Sequence, residues 1–172
     1  MIPDSLRAYI RAVSSPFTVY DSAKAIAGNS GQATFTFNNV PDGLPVFIQV
    51  KHRNSIETWS KYLGTFNTVR TEEYFHPFTS YLKYDFTTSI FTAWGNNLIK
   101  VDSLPTEYAI YSGDPNQDGT VDVTDLVRIH NDALNFVSGY VVTDINGDNV
   151  TDVSDLIITY NNSINFVGVI RP

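Results

Sequence analysis

Asp114-Pro115-Asn116-Gln117-Asp118-Gly119-Thr120-Val121-Asp122-Val123-Thr124-Asp125-Leu126 recurs 30 residues on as Asp144-Ile145-Asn146-Gly147-Asp148-Asn149-Val150-Thr151-Asp152-Val153-Ser154-Asp155-Leu156. Asp stands at positions 1, 5, 9 and 12 of both copies, and Asn at position 3. The match runs on: Asn131-Asp132-Ala133-Leu134-Asn135-Phe136-Val137 parallels Asn161-Asn162-Ser163-Ile164-Asn165-Phe166-Val167. Self-similarity at a fixed offset marks a structural unit used twice.

Positions 1, 3, 5, 7, 9 and 12 are the ligand positions of a twelve-residue calcium loop. A hard cation takes six to eight oxygens, and alternate residues of a tight loop turn their side chains inward to supply them. The expected ligands are Asp114, Asn116, Asp118, the Thr120 carbonyl, Asp122 and Asp125. In the second loop they are Asp144, Asn146, Asp148, the Val150 carbonyl, Asp152 and Asp155. Position 9 is expected to bind through a water. Position 12 closes the shell from the first turn of a helix. Position 6 needs a left-handed backbone, which Gly119 adopts freely and Asn149 tolerates better than most residues. Two calcium ions are therefore expected.

Tyr108 to Gly113 does not read as an entering helix, so each unit is loop then helix, with helices starting near Thr124 and Ser154. Leu126, Ile129 and Ala133 share one face, and Leu156, Tyr160 and Ser163 approximate it. A duplicated loop–helix with Asp at position 12 resembles the dockerin domain, over about residues 112–167. The resemblance implies two antiparallel helices related by a pseudo-twofold axis. It also implies docking to a cohesin-like receptor that anchors secreted enzymes or surface proteins to a scaffold. It places partner-reading residues at Val123, Thr124 and His130, and at Val153, Ser154 and Tyr160. Dockerins often carry a Ser-Thr pair at positions 10 and 11 and a Lys-Arg pair further along the helix. This chain has Val123-Thr124 and Val153-Ser154, then His130-Asn131 and Tyr160-Asn161. The expected partner is a cohesin-like receptor, a different receptor or another copy of the chain.

Residues 1–111 read as a separate β-sandwich domain and 112–172 as the calcium-binding domain, a mainly β chain with a small α part. Pro45 to Lys51 is a strong strand, and Ala33 to Phe37 alternates with period 2. Further strands are expected at Leu6–Ala12, Glu57–Ser60, Leu82–Thr87, Leu98–Val101 and Tyr108–Tyr111, giving an antiparallel sandwich of about seven. The stretch from Gly31 through Val40-Pro41-Asp42-Gly43 to the next strand is similar to transthyretin-like or carboxypeptidase-regulatory-like sandwiches, and an Ig-like sandwich fits nearly as well. A sandwich ahead of a dockerin is similar to the X-module–dockerin pair of cellulosomal proteins.

Charge divides the chain at the same place. Residues 1–110 balance nine basic against nine acidic side chains, whereas residues 111–172 hold nine Asp against Arg128 and Arg171. The net charge of −7 lies wholly in that last third, with no Glu or Lys there. Carboxylates of one type suggest placement for geometry. The acidic balance argues against nucleic acid. No apolar run is long enough to span a membrane. There is no cysteine, hence no disulfide, thiol nucleophile or thiolate metal site. The expected location is extracellular or at the cell surface, with the leader absent from this sequence.

No catalytic constellation appears. His52, His76 and His130 are scattered, Glu72-Glu73 is an isolated pair, and no Gly-x-Ser-x-Gly elbow occurs. The expected function is non-enzymatic docking, with calcium folding the repeat. The alternative is a self-assembling structural subunit of an extracellular array or filament, through sheet edges or the apolar Phe166–Ile170 segment. A third reading is carbohydrate binding on Trp59, Tyr62 or Trp94. Few large apolar side chains support the last 60 residues, so calcium is the expected staple, and the sandwich is expected to survive chelation.

Overall fold

A computed structural model describes residues 3–61, 63–65, 67–69 and 79–172. Tyr62, Glu72, Glu73 and His76 lie outside the described residues. The strands are β1 (Asp4–Arg11), β2 (Val19–Ala27), β3 (Pro45–His52), β4 (Thr58–Trp59), β5 (Gly64–Thr65), β6 (Asn67–Val69), β7 (Thr79–Tyr81), β8 (Ile99–Ser103) and β9 (Thr106–Ala109). Two 3-10 turns, Ile90–Thr92 and Trp94–Asn96, precede β8. Helices α1 (Val123–Leu134) and α2 (Val153–Ile164) follow β9. The chain is mainly β with two short helices.

β1 lies at the centre of an antiparallel sheet in the order β2-β1-β3-β4, with β5 also paired to β3. Ala8 pairs with Ala23 on one side and Val50 on the other, and Ile10 pairs with Ile48. Ala8 and Ile10 are buried in alternation along β1, whereas the neighbours Val46 and Phe47 are both buried, so β3 is covered on both faces there. Pro45 sits at the first residue of β3, where a missing N–H is tolerated. β6–β7 and β8–β9 form two separate two-stranded ribbons.

Two expected strands are not strands. Ala33 to Phe37 keeps the alternation, with Ala33, Phe35 and Phe37 half-buried and Thr34 and Thr36 exposed, but joins no ladder. The Phe35 and Phe37 rings stack at 6.2 Å, and the Asn38 and Asn39 N–H groups donate to Asp21 Oδ2 at 2.7 and 2.9 Å. The segment is pinned to β2 by a carboxylate instead of a ladder. Leu82 to Thr87 is irregular: the Tyr84 and Phe86 rings pack at 4.8 Å and the Tyr84 hydroxyl donates to Thr92 O. β2 was not expected, because Ser22, Ala23, Lys24 and Ala25 have low strand propensity. It forms as an edge strand against the register of β1.

The sheet and the repeat share apolar packing. Ile56 clusters with Val121 and Val167, and Tyr111 and Val169 pack against them. The Ile56 N–H donates to Tyr111 O at 3.0 Å, and Ser55 bridges Ser112. The C-terminal segment lies on its own chain: Asn97 Nδ2 donates to Gly168 O at 2.9 Å, Ile170 crowds Gly95, and Arg171 Nε donates to Glu57 Oε1.

Candidate metal centre

Both loops run into their helices through the same cap. Asp122 and Asp152 are N-caps whose Oδ1 accepts the N–H and hydroxyl of Thr124 or Ser154. Three residues on, Asp125 and Asp155 accept the cap N–H at 3.0 and 2.8 Å, closing a reciprocal capping box. Positions 9 and 12 are thus fixed by helix initiation before any ion is considered. Gly119 and Asn149, at position 6, have φ of +95° and +69°, the left-handed backbone the loop requires.

The two units interlock. Thr120 bridges Gly168 and Val150 bridges Ser138, so position 7 of each loop pairs with the segment that follows the other unit's helix. The bonds are Val121 N–H to Val167 O and Val169 N–H to Gly119 O. Their symmetry mates are Thr151 N–H to Val137 O and Gly139 N–H to Asn149 O. Neighbouring carbonyls of an extended chain face opposite ways. The pairing therefore turns the Thr120 and Val150 carbonyls away from the bridge, to the loop side.

The loops differ where their carboxylates find partners. In the second loop, Asp144 Oδ1 accepts from Gly147 and Asp148, and Oδ2 from Asn149. Asp155 Oδ1 accepts from Ile145 and Asn146 at 2.7 and 3.0 Å. In the first loop, Asp114 Oδ2 accepts from Gly119, but Asp114 Oδ1 and Asp125 Oδ1 are buried with no hydrogen bond among the described residues. Asp114 is 2% exposed and Asp125 0%. For Asp125 the cause is in the sequence: Pro115 occupies the place of Ile145 and has no N–H to give. The Asn116 N–H acts on the Asp125 carboxylate without closing a hydrogen bond to Oδ1.

Burial, reinforced by Asp125 and Asp118, pushes the Asp114 carboxyl up to about 6 despite the Gly119 N–H. Burial also raises Asp125 and Asp155. Asp118 is held low by the Thr120 N–H and hydroxyl, and Asp152 by Ser154. Buried, unpartnered carboxylate oxygens cost free energy unless a cation or proton meets them. The donor set, carboxylates with Asn116 and a main-chain carbonyl, is all oxygen and suits a hard cation. Among the described residues, no three His, Asp or Glu side chains gather as a ready-made cage. Asn116 Nδ2 is turned onto Asp118 Oδ2 and Asn146 Nδ2 onto Asp148 Oδ2, at 2.9 Å in both loops. Each loop holds itself by internal hydrogen bonds that an ion would have to replace.

The expected partner-reading residues divide. Val123, Val153, His130 and Tyr160 are exposed on the helices. The Thr124 and Ser154 hydroxyls belong to the loops, donating to Asp122 or Asp152 and accepting from Asn116 or Asn146. Tyr160 is not on the packed face of α2: Thr159, three residues after Leu156 as Ile129 is after Leu126, is buried in its place. Sequence reading missed Val127, Leu134 and Phe136, and the mates Ile157 and Ile164, and took Phe166 only as part of a strand-forming tail; all six are exposed. Phe136 and Phe166 are 88% and 92% exposed, and both have φ of +53°. Each follows the helix C-cap, with its N–H bonded to Ala133 or Ser163 O, while Val137 or Val167 bonds back to Asp132 or Asn162 O. That left-handed position is normally glycine's. The signal available in the sequence was the apolar spacing of 123, 127, 134 and 136, opposite Ile129 and conserved in both copies of the repeat.

Trp59 is not an exposed sugar platform. It is 3% exposed, with Phe17 and Phe47 edge-on at 6.0 and 6.2 Å, and its Nε1 donates to Glu57. Trp94 is half-buried, edge-on to Phe47 at 5.6 Å. No helix among the described residues is long and apolar enough to cross a membrane. No protein-family model matches the chain, and no match is found among curated proteins or solved structures.

Proposed function

We propose that residues 112–172 form a dockerin-like docking module: two calcium ions order the loops, and the helix faces bind a protein partner. The observation that carries the docking reading is the doubled apolar stripe. Val123, Val127, Leu134 and Phe136 repeat as Val153, Ile157, Ile164 and Phe166, and every one is exposed. Exposed apolar side chains at the same positions of both units are the kind of surface that serves an interaction. The calcium reading is supported by the unpartnered oxygens of Asp114 and Asp125 and the all-oxygen donor set. A non-enzymatic, extracellular role follows from the resemblance, since millimolar calcium outside the cell fills even weak loops. The receptor is of cohesin type or a second copy of the chain.

Calorimetric calcium titration after chelation, with sedimentation velocity on the same sample, tests this. Two ions bound by a chain that stays monomeric support a docking module with a separate receptor. Growth driven by calcium moves the reading to a self-assembling structural subunit. No bound calcium removes the dockerin-like reading altogether.

A further inference from the structure

The turn between β3 and β4 reaches both loops, and Asn54 touches the first residue of each. Its carbonyl accepts the N–H groups of Gly113 and Asp114 at 2.7 and 3.0 Å. Its side-chain Nδ2 donates to the Asp144 carbonyl at 2.7 Å. Asp114 and Asp144 are position 1 of the two loops. Asn54 is 1% exposed. Reversing its amide would set an oxygen against the Asp144 carbonyl, so the acceptor there fixes the orientation. Neighbours brace the same turn: Arg53 donates to Val141 O and, at 3.4 Å, to Asp144 Oδ2, and Gln117 Nε2 donates to His52 O and Ser55 O.

The first loop thus hangs on the main chain of Asn54 and the second on its side chain. A close-packed residue held at both ends passes a displacement on instead of absorbing it. The loops also start from different states. Both Asp144 oxygens are already bonded, whereas Asp114 Oδ1 is not. The first loop therefore holds a buried oxygen that an ion would satisfy.

We propose that Asn54 is a positioning residue that couples the two sites, so that an ion in one loop raises the affinity of the other. This rests on the calcium reading above. Coupling between binding sites is reciprocal, and typical factors are about 5- to 150-fold. Nothing in a duplicated loop–helix requires a residue of the preceding sheet to join the two loops; here the β3–β4 turn does so.

The experiment is calorimetric titration of the full chain with Ca²⁺ alone. One loop at a time is disabled at its exposed position 5, by Asp118→Ala or Asp148→Ala, and the intact loop is measured. Each is repeated with Asn54→Ala, which keeps the carbonyl and removes the arm to Asp144. With Asn54 present, disabling one loop should weaken the other by about fivefold or more. With Asn54→Ala the loss should shrink below about twofold. A merely structural role would weaken both loops alike and leave the coupling unchanged. Equal losses in both backgrounds overturn the proposal and assign the coupling to the Gly119–Val169 and Val121–Val167 bridges. The Asn54 side-chain amide resonance of the unsubstituted chain gives a reading independent of how the variant folds. It should move with the first ion, and a shift that waits for the second overturns the proposal. Absence of any calcium heat in the unsubstituted chain is a separate failure, that of the calcium reading itself.

Discussion

Pro115 withholds from Asp125 the main-chain hydrogen bond that Ile145 gives Asp155 at 2.7 Å. One residue difference between two otherwise parallel loops leaves a buried carboxylate oxygen bare in one and satisfied in the other. Pro115→Ile copies the second loop into the first. A hydrogen bond to a charged group contributes about 1.5–3 kcal/mol, from which about 0.4–1 kcal/mol is lost as the unfolded chain gains freedom. The chelated variant should therefore be more stable by roughly 1 kcal/mol, and the extra stability conferred by calcium should shrink. Urea unfolding with chelator and with saturating calcium checks both; an unchanged midpoint in chelator sinks the idea.

The two helices were legible because their Asp N-caps recur with the repeat, and helix capping is local in sequence. Hence α1 and α2 begin within a residue of Thr124 and Ser154, where the Asp pattern puts them. The sheet was legible where strands are apolar and alternate, as in β1, β3 and β8. It was not legible in β2, which owes its strand state to the register of β1. Nor was it in Ala33–Phe37, where alternation reports two faces but not whether a neighbour supplies a ladder. Tyr160 was assigned to the packed face because a large ring at i+4 outweighed a small Thr159 at i+3. Arg53 and Asn54 were invisible because their role consists of contacts to Asp144, some 90 residues away in the chain.

Acid should destabilise the sheet-to-repeat junction through two carboxylates. Burial alone would raise Asp4, but hydrogen bonds from Tyr140, His52 and Arg53 outweigh it and hold the carboxyl at about 2. Burial likewise opposes Glu57, and Arg171, Trp59 and Lys51 hold it at about 2. Both lie below their ordinary values of 3.8 and 4.5, so the unfolded chain binds more protons than the folded one between those limits. The stabilisation is complete above about pH 5 and is lost as pH falls through 4 toward 2. Each group contributes on the order of 2 kcal/mol. Asp4→Asn and Glu57→Gln should each flatten the pH dependence of the unfolding midpoint in that window, and a slope unchanged in both variants would contradict the assignment.

Phe136 and Phe166 carry a cost that their own fold does not return. A left-handed non-glycine residue is disfavoured by roughly 1–2 kcal/mol, and both rings stand in solvent. Phe136→Gly and Phe166→Gly should each raise stability by about 1 kcal/mol, or about 2–4 °C in Tm. Under the docking reading, each should also weaken partner or self-association. A lower Tm for both would show that the rings pack in the isolated chain, and that they are not anchors held ready for a partner.

The separation of the chain into two independent modules meets its test at Ile56. This residue of the sheet half is fully buried against Val121, beside the position-7 carbonyl of the first loop, and against Val167 after α2. Disordering the loops by chelation would uncover Ile56, and with it the bond from its N–H to Tyr111 O. The sheet should therefore lose stability with the repeat instead of surviving unchanged. Ile56→Ala, which opens a cavity between the halves, should cost about 2–5 kcal/mol. It should lower both the calcium-saturated Tm and the calcium affinity. Hydrogen exchange of the β1 and β3 amides, with and without chelator, reads the same coupling directly. Protection of Ala8 and Ile10 that is indifferent to calcium would restore two separate modules, whereas protection that falls with chelation makes the Ile56 cluster the core of one cooperative unit.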